Sequence, residues 1–461
     1  MDVKKRKVNK MIKKLLIANR GEIAVRIIET CKAMGIETVA IYSEADADAL
    51  FVRLADESYL IGPPKVNESY LKTDKILEIA KDTKVDAIHP GYGFVSENGS
   101  FVRQCEQAGI RFIGPKAEVM EQMGDKIQAR NVMEKAGVPV IPGTKEGVTK
   151  ETAKQKAGEI GYPIMLKASA GGGGIGMQVV HSDEELEKVF SSNADRAEQF
   201  FGNGTMFLEK VIEDARHIEI QVMADDHGNV IHLFERDCSV QRRNQKVVEE
   251  APSPFISAAT RERMGEIAKK AAREIGYTNA GTIEFLVDND ENFYFLEMNT
   301  RIQVEHAITE EITKQDIVRM QIEVAQGEEL TVQQEDLAIN GHAIEMRIYA
   351  EDPIRFFPSP GTITTYQAPS GEHIRLESGI EEGTKITPFY DPMISKLVVW
   401  GATREEAMTQ SLHALEDYQI EGIKTNLPML KEVIQHPAFQ KGEVTTDFVS
   451  EHYLPLVQKS K

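Results

Sequence analysis

Residues 281–306 read GTIEFLVDNDENFYFLEMNTRIQVEH. Thr282 to Val287 and Phe293 to Met298 are rich in β-branched and aromatic residues, with turn-forming Asp288 to Asn292 between them. The stretch predicts a β-hairpin. A two- or four-residue loop places Glu284 and Glu297 on one face, and the four-residue loop sets them directly opposite. Like charges across a strand pair destabilise it. A divalent cation between them reverses that sign, because hard cations such as Mg²⁺ take carboxylates together with substrate phosphates. Asn299 adds an amide oxygen on the same face by strand alternation. The plain alternative is two glutamates facing water.

Beyond the hairpin, Asn299, Arg301, Gln303 and Glu305 alternate with Thr300, Ile302 and Val304, a pattern that a solvated strand could also show. An anion binder, an amide and a candidate base beside a possible metal pair make the inventory of an active site.

A chain of 461 residues holds two to four domains. Its net charge of −19 argues against a nucleic-acid-binding surface, while leaving room for a local basic pocket. No apolar run approaches a membrane span. The three cysteines, Cys31, Cys105 and Cys238, are too few for a disulfide framework and suit a reducing, cytoplasmic setting. Residues 1–10 are basic without a following apolar segment, and are expected to be a disordered extension.

Upstream, Lys14 to Ala18, Thr38 to Tyr42, Asp86 to His89 and Arg111 to Ile113 read as strands. The helices Glu22 to Met34 and Glu97 to Ala108 lie between them. This alternation predicts an α/β, Rossmann-like domain with a parallel sheet over residues 11–124. No GxGxxG follows its first strand, so a dinucleotide site is unsupported. His89 to Phe94 (HPGYGF) follows a strand end, where ligands of open α/β sheets bind, with Tyr92 between two glycines.

Ile164 to Ala168 is a strand carrying Lys167, followed by the glycine run Gly171 to Gly174 and then Ile175 and Gly176. A second strand, Met177 to Val180, comes next, so neither the dinucleotide nor the Walker pattern is satisfied. A loop of bare amides joining two strands suits a phosphate. Helices from Thr149 and Ser182, with the strand Met206 to Val211, complete a small α+β lobe, about 139–211, that can act as a lid. Arg236 to Pro254 is the most polar stretch of the middle, and Arg242, Arg243 and Lys246 make a local positive cluster. Ile308 to Ala325 reads as one helix. After Gly341, short strands punctuated by Pro and Gly predict an antiparallel β-rich domain, residues 341–455.

These pieces resemble the ATP-grasp superfamily and, more closely, biotin carboxylases. The resemblance rests on ANRGEIAVRI, HPGYGFVSEN, KASAGGGGIGM, ERDCSVQRRNQK, EMNTRIQVEH, HAIEMRIYAEDP and TPFYDPMISKL, in the family's order from Ala18 to Leu397. It implies a central ATP-grasp domain, 125–330, with a mobile lid. It further implies that Lys126, Lys167, Gly172, Gly173 and Gly174 contact ATP phosphates. Glu209, Lys210 and Ile212 would line the adenine pocket, and His217 and Gln241 would hold the ribose, with Asn244 nearby. Glu284, Glu297 and Asn299 would place Mg²⁺ or Mn²⁺. Lys246, Arg301, Gln303 and Val304 would bind bicarbonate, Glu305 would deprotonate it, and Arg347 would face the biotin ureido oxygen with Tyr92 close by. The implied product is carboxyphosphate, a source of CO₂ for biotin.

Three positions depart from the family pattern: Ile175 for arginine, Asn244 for histidine and Ala307 for proline. They bear on phosphate and ribose contacts, not on the base or the metal ligands. No Ala-Met-Lys-Met tetrapeptide occurs, so biotin is expected on a separate biotin carboxyl carrier protein, and acyl transfer on carboxyltransferase subunits. Members are often homodimers. Two other readings compete. A carbamoyl-phosphate-type ligase is disfavoured by HAIEMRIYAEDP and the β region after it. A nucleotide-binding scaffold without turnover has Ile175 as its only motive.

Overall fold

The computed structural model describes residues 11–170 and 176–459. The expectations for residues 1–10, for Gly172, Gly173 and Gly174 and for Ile175 lie outside them.

Five parallel strands open the fold, in the order Glu57–Gly62, Glu37–Ser43, Lys14–Ile17, Ala87–His89, Arg111–Phe112. Leu15 and Ile17 pack on the helix Gly21–Ala33, while Leu16 and Ala18 pack toward the helices Thr73–Asp82 and Gly99–Gln107. Burial on both faces explains the unbroken apolar run of KLLIA.

An eight-stranded antiparallel sheet dominates the middle. Its order is Phe293–Asn299, Asn279–Val287, Arg216–Ala224, Val230–Arg242, Gln245–Ala251, His342–Tyr349, Met393–Gly401, Ile374–Ser378. Ile218, Ile220 and Val222 face a core closed by the helix Ala258–Glu274. Residues His217, Glu219 and Gln221 alternate with them and present the opposite, polar face. The lobe between them in sequence carries a three-stranded sheet, Met177–Val180, Ile164–Ala168, Met206–Lys210, with the helices Lys150–Ile160 and Asp183–Phe201.

Several local expectations are corrected. The hairpin loop has five residues, since Val287 pairs with Phe293, and Asp288 ties it by accepting from the backbone of Asp290 and Asn292. That register alone would set Glu284 opposite Leu296. A bulge between Glu284 and Phe285 restores the Glu284–Glu297 pairing. The strand ends at Asn299, so Thr300 to Glu305 is a loop held by side-chain contacts. Ile308 to Ala325 is two helices, His306–Thr313 and Ile317–Ala325, broken at Lys314, whose φ is +59°. Most of Arg236 to Pro254 is a strand hairpin, and Arg242 is buried against Glu351 at 2.9 Å rather than offering a free charge. The antiparallel strands after Gly341 are present, and three of them continue the central sheet. Among the described residues no helix is long and apolar enough to cross a membrane.

Candidate active site

One cleft of about 810 Å³ lies between the parallel-sheet region, the lobe and the polar face of the large sheet. Every described residue expected to act lines it: Tyr92, Lys126, Lys167, Glu209, Lys210, Ile212, His217, Gln241, Asn244, Lys246, Glu284, Glu297, Asn299, Arg301, Gln303, Val304, Glu305 and Arg347.

Lys246 is the hub. Its Nζ lies 2.6 Å from Glu219, 2.8 Å from Glu284 and 2.6 Å from Glu305, and donates to Gln303 Oε1 at 3.1 Å. Glu305 receives Arg347 on its other oxygen at 3.0 Å. Burial opposes each of these charges; pairing outweighs it at Lys246, Glu284, Glu305 and Arg347, while at Glu219 burial wins and lifts the carboxyl. Glu219, Glu284 and Glu305 hold the Lys246 ammonium well above its ordinary value. Lys246, Arg347 and Arg236 hold the Glu305 carboxyl well below the carboxylate range, and Lys246 with His217 does the same for Glu284. Arg347 also donates to Glu249 at 2.6 Å, and burial pushes the Glu249 carboxyl up to about 7.

Arg301 donates to Glu97 at 2.9 Å and to Asn299 Oδ1 at 2.9 Å, so the parallel-sheet region aims this guanidinium. Toward the lobe, Lys126 meets Glu297 at 3.0 Å and Lys167 meets Glu209 at 2.6 Å. Lys210 turns away to the carbonyls of Gly161 and Tyr162. Met165, Ile212, Leu286 and Leu296 give this end apolar walls suited to a flat base. His217 and Gln241 bond to each other at 2.9 Å, side by side at the wall. Arg243 and Asn244 both have positive φ, +50° and +62°, in the two-residue turn of their hairpin. Asparagine suits that left-handed position, which accounts for Asn244 locally. Tyr92 packs partly into the core, and its hydroxyl has no hydrogen-bond partner among the described residues.

Glu284 and Glu297 fit a hard divalent cation as two carboxylates in register, and the Asn299 amide lies against Glu284, donating to it at 2.9 Å while its oxygen accepts from Arg301. Each carboxylate already meets an ammonium, Lys246 or Lys126, so the strand pair tolerates the two charges only with cations between them. His217, Glu219 and Glu284 also bring possible ligand atoms together, but the Lys246 ammonium serves two of these three. We therefore read that cluster as an ammonium site.

Sequence reasoning missed Glu97, Glu219, Arg236 and Glu249. Arg236, fully buried, fixes Glu219 at 2.6 Å and contacts Gln221, Thr282 and Thr309. The signal for Glu219 was present: His217, Glu219 and Gln221 repeat at period two among apolar residues.

Comparison with known proteins gives the family. Residues 11–120 match the family model of the biotin carboxylase N-terminal domain, and residues 345–451 that of the biotin carboxylase C-terminal domain. Residues 125–333 between them match the carbamoyl-phosphate synthase L chain ATP-binding domain. A biotin carboxylase of Halalkalibacterium halodurans is 62% identical over 96% of this chain and 98% of its own length. The chain belongs to the biotin carboxylase family. As a member it is an ATP-dependent ligase of the ATP-grasp class. Biotin carboxylase 2 of Bacillus subtilis is 58% identical over 96% of this chain and 100% of its own. The biotin carboxylase domain dimer of the Hydrogenobacter thermophilus 2-oxoglutarate carboxylase, solved with MgADP, ADP and bicarbonate, superposes with a TM-score of 0.94. It is 50% identical, and the match covers 96% of this chain and 98% of that one.

Proposed function

We propose that this chain carboxylates biotin carried on a separate biotin carboxyl carrier protein, using ATP and bicarbonate. The reaction is the first half of an acyl-CoA carboxylase cycle in the cytoplasm, with carboxyltransferase subunits completing it on acetyl-CoA. The observation that carries this reading is Glu305 held between Lys246 and Arg347. A base lies between one cation on the phosphate side and another on the far side, as two successive reactions need.

Bicarbonate is drawn by Lys246 and Arg301. When it takes the Lys246 contact, Glu305 loses part of its neutralisation and becomes a stronger base. Deprotonated bicarbonate attacks the γ-phosphorus of ATP, ADP leaves, and carboxyphosphate forms. Glu284, Glu297 and Asn299 would hold Mg²⁺ or Mn²⁺, which would neutralise phosphate charge. Lys126 and Lys167 release their carboxylates to the phosphates. Carboxyphosphate splits into CO₂ and phosphate, the phosphate takes the ureido N–H proton of biotin, Arg347 steadies the resulting ureido oxyanion, and the ureido nitrogen bonds to CO₂. The solved relative is a dimer, and we extend the homodimer to this chain.

Labelled bicarbonate, MgATP and a purified biotinylated carrier test the reading. Label should appear on the carrier and require all three. Carboxyltransferases of different acceptors, offered with acetyl-, propionyl- and methylcrotonyl-CoA, then decide the acceptor. Transfer to propionyl-CoA alone would contradict the acetyl-CoA assignment.

A further inference from the structure

Lys396 has no place in the chemistry above, yet its side chain is fully buried. It sits on the strand Met393–Gly401, directly in register with Arg347 on His342–Tyr349. Two cations side by side on neighbouring strands repel, so their presence needs a reason. Carboxylates keep them apart: Glu249 takes Arg347, and Glu377 lies 2.6 Å from Lys396 Nζ, with Glu22 at 3.8 Å. Glu377 in turn meets Arg375 and Arg26.

The Lys396 ammonium also donates to the backbone carbonyl of Val304 at 2.5 Å. Val304 lies in the 300–305 loop, which has no strand partner after Asn299. Its neighbours are fixed from the other side, Gln303 by Lys246 and Glu284, and Glu305 by Lys246 and Arg347. His306 Nδ1 lies 2.8 Å from the Gln303 carbonyl. Lys396 is therefore the buried charged side chain that pins the backbone of this loop from behind.

We propose that Lys396 is a positioning residue for bicarbonate, holding the Val304 peptide so that the loop presents Gln303, Val304 and Glu305 to the anion. This rests on the bicarbonate reading of the site. A charge-assisted bond to a carbonyl is stronger than a neutral one. The register with Arg347 makes the same ammonium report on both ends of the site.

The alternative is that Lys396 only neutralises Glu377 and Glu22. Two variants separate these roles. Lys396→Met removes both the bond and the charge and can fail to fold. Lys396→Met with Glu377→Gln removes the bond together with the carboxylate that Lys396 neutralises, and Glu377→Gln alone controls for the contacts of Glu377 to Arg375 and Arg26. The double variant should melt close to the wild type and bind MgATP with its KM within about twofold. Its kcat/KM for bicarbonate should fall by at least about tenfold, since small misplacements of a reacting group are that costly. Wild-type bicarbonate kinetics in the folded double variant would overturn the proposal, as would equal losses for ATP and bicarbonate. A double variant that does not fold, beside a folded Glu377→Gln, would also count against it, because it would make Lys396 a stability residue. Wild-type protein indifferent to bicarbonate would overturn the functional reading itself, a result distinct from all of these.

Discussion

Glu305 is the residue on which the proposed chemistry turns, and its environment sets what a substitution does. Glu305→Gln keeps the shape beside Lys246 and Arg347 and removes the base. Bicarbonate-dependent ADP release should fall about 10²–10⁴-fold with MgATP binding retained, and steady-state kinetics with equilibrium nucleotide binding check both. Glu22 makes a pH prediction. Burial lifts its carboxyl to about 7, and neither of its oxygens has a hydrogen-bond partner among the described residues. A carboxyl whose folded value lies above its unfolded value opposes folding once the unfolded chain ionises. Its penalty is absent at low pH and grows as pH rises from about 4.3, the unperturbed value, toward 7. Glu22→Gln should therefore raise Tm over the wild type more at pH 8 than at pH 5; an equal shift at both would remove Glu22 as the source. The residues that line the cleft were legible because they sit in short motifs. Arg236 and Lys396 sit in such motifs too, but their roles were not legible, since Arg236 reaches Thr309 and Lys396 reaches Val304 only through the folded sheet.

At the scale of elements, alternation was both guide and trap. It marked the polar face of Arg216–Ala224, and it also suggested a strand through Glu305 where the structure has a loop. Pairing stops at Asn299 because the side chains beyond it find partners on other elements: Thr300 and Arg301 on Glu97, Gln303 on Lys246, Glu305 on Arg347. The bulge beside Glu284 leaves no mark in the sequence, since its only effect is to correct a five-residue loop. The carboxylate pair it creates predicts metal dependence. Glu284→Gln or Glu297→Gln should raise the Mg²⁺ concentration needed for half-maximal activity, and an unchanged Mg²⁺ titration in both would reduce them to structural glutamates. The lobe over 139–211 rests on the body through Lys126 N to Ser169 O and through Pro139 and Val140 beside Phe295. If it closes on nucleotide, hydrogen exchange within Ile164–Ala168 and Met206–Lys210 should slow on adding MgATP; identical exchange with and without nucleotide would contradict a lid.

Across the whole molecule, the parallel-sheet region is stapled to the rest by charge. Arg26 meets Glu310 at 3.1 Å, Asp316 at 2.9 Å and Glu377 at 3.4 Å. Arg20 reaches over the Tyr390 ring at 4.3 Å while bonding Asp46 at 2.7 Å. Arg26→Met should cost about 3 kcal/mol, the lower end for breaking a buried pair, because Arg375 still serves Glu310 and Glu377. Denaturant unfolding reads this, and an unchanged midpoint would remove the staple. The fold class was legible because each sheet writes its own texture, continuous apolar strands for the parallel one and alternation for the antiparallel one. That the last strands join the central sheet was not, since Gly341 reads like a boundary. The most direct test of the whole account is ADP release by the purified wild-type protein with MgATP, with and without bicarbonate and biotinylated carrier. The account predicts release that depends on bicarbonate and rises when the carrier is added. ATP hydrolysis indifferent to both, or no hydrolysis under any combination, would contradict it.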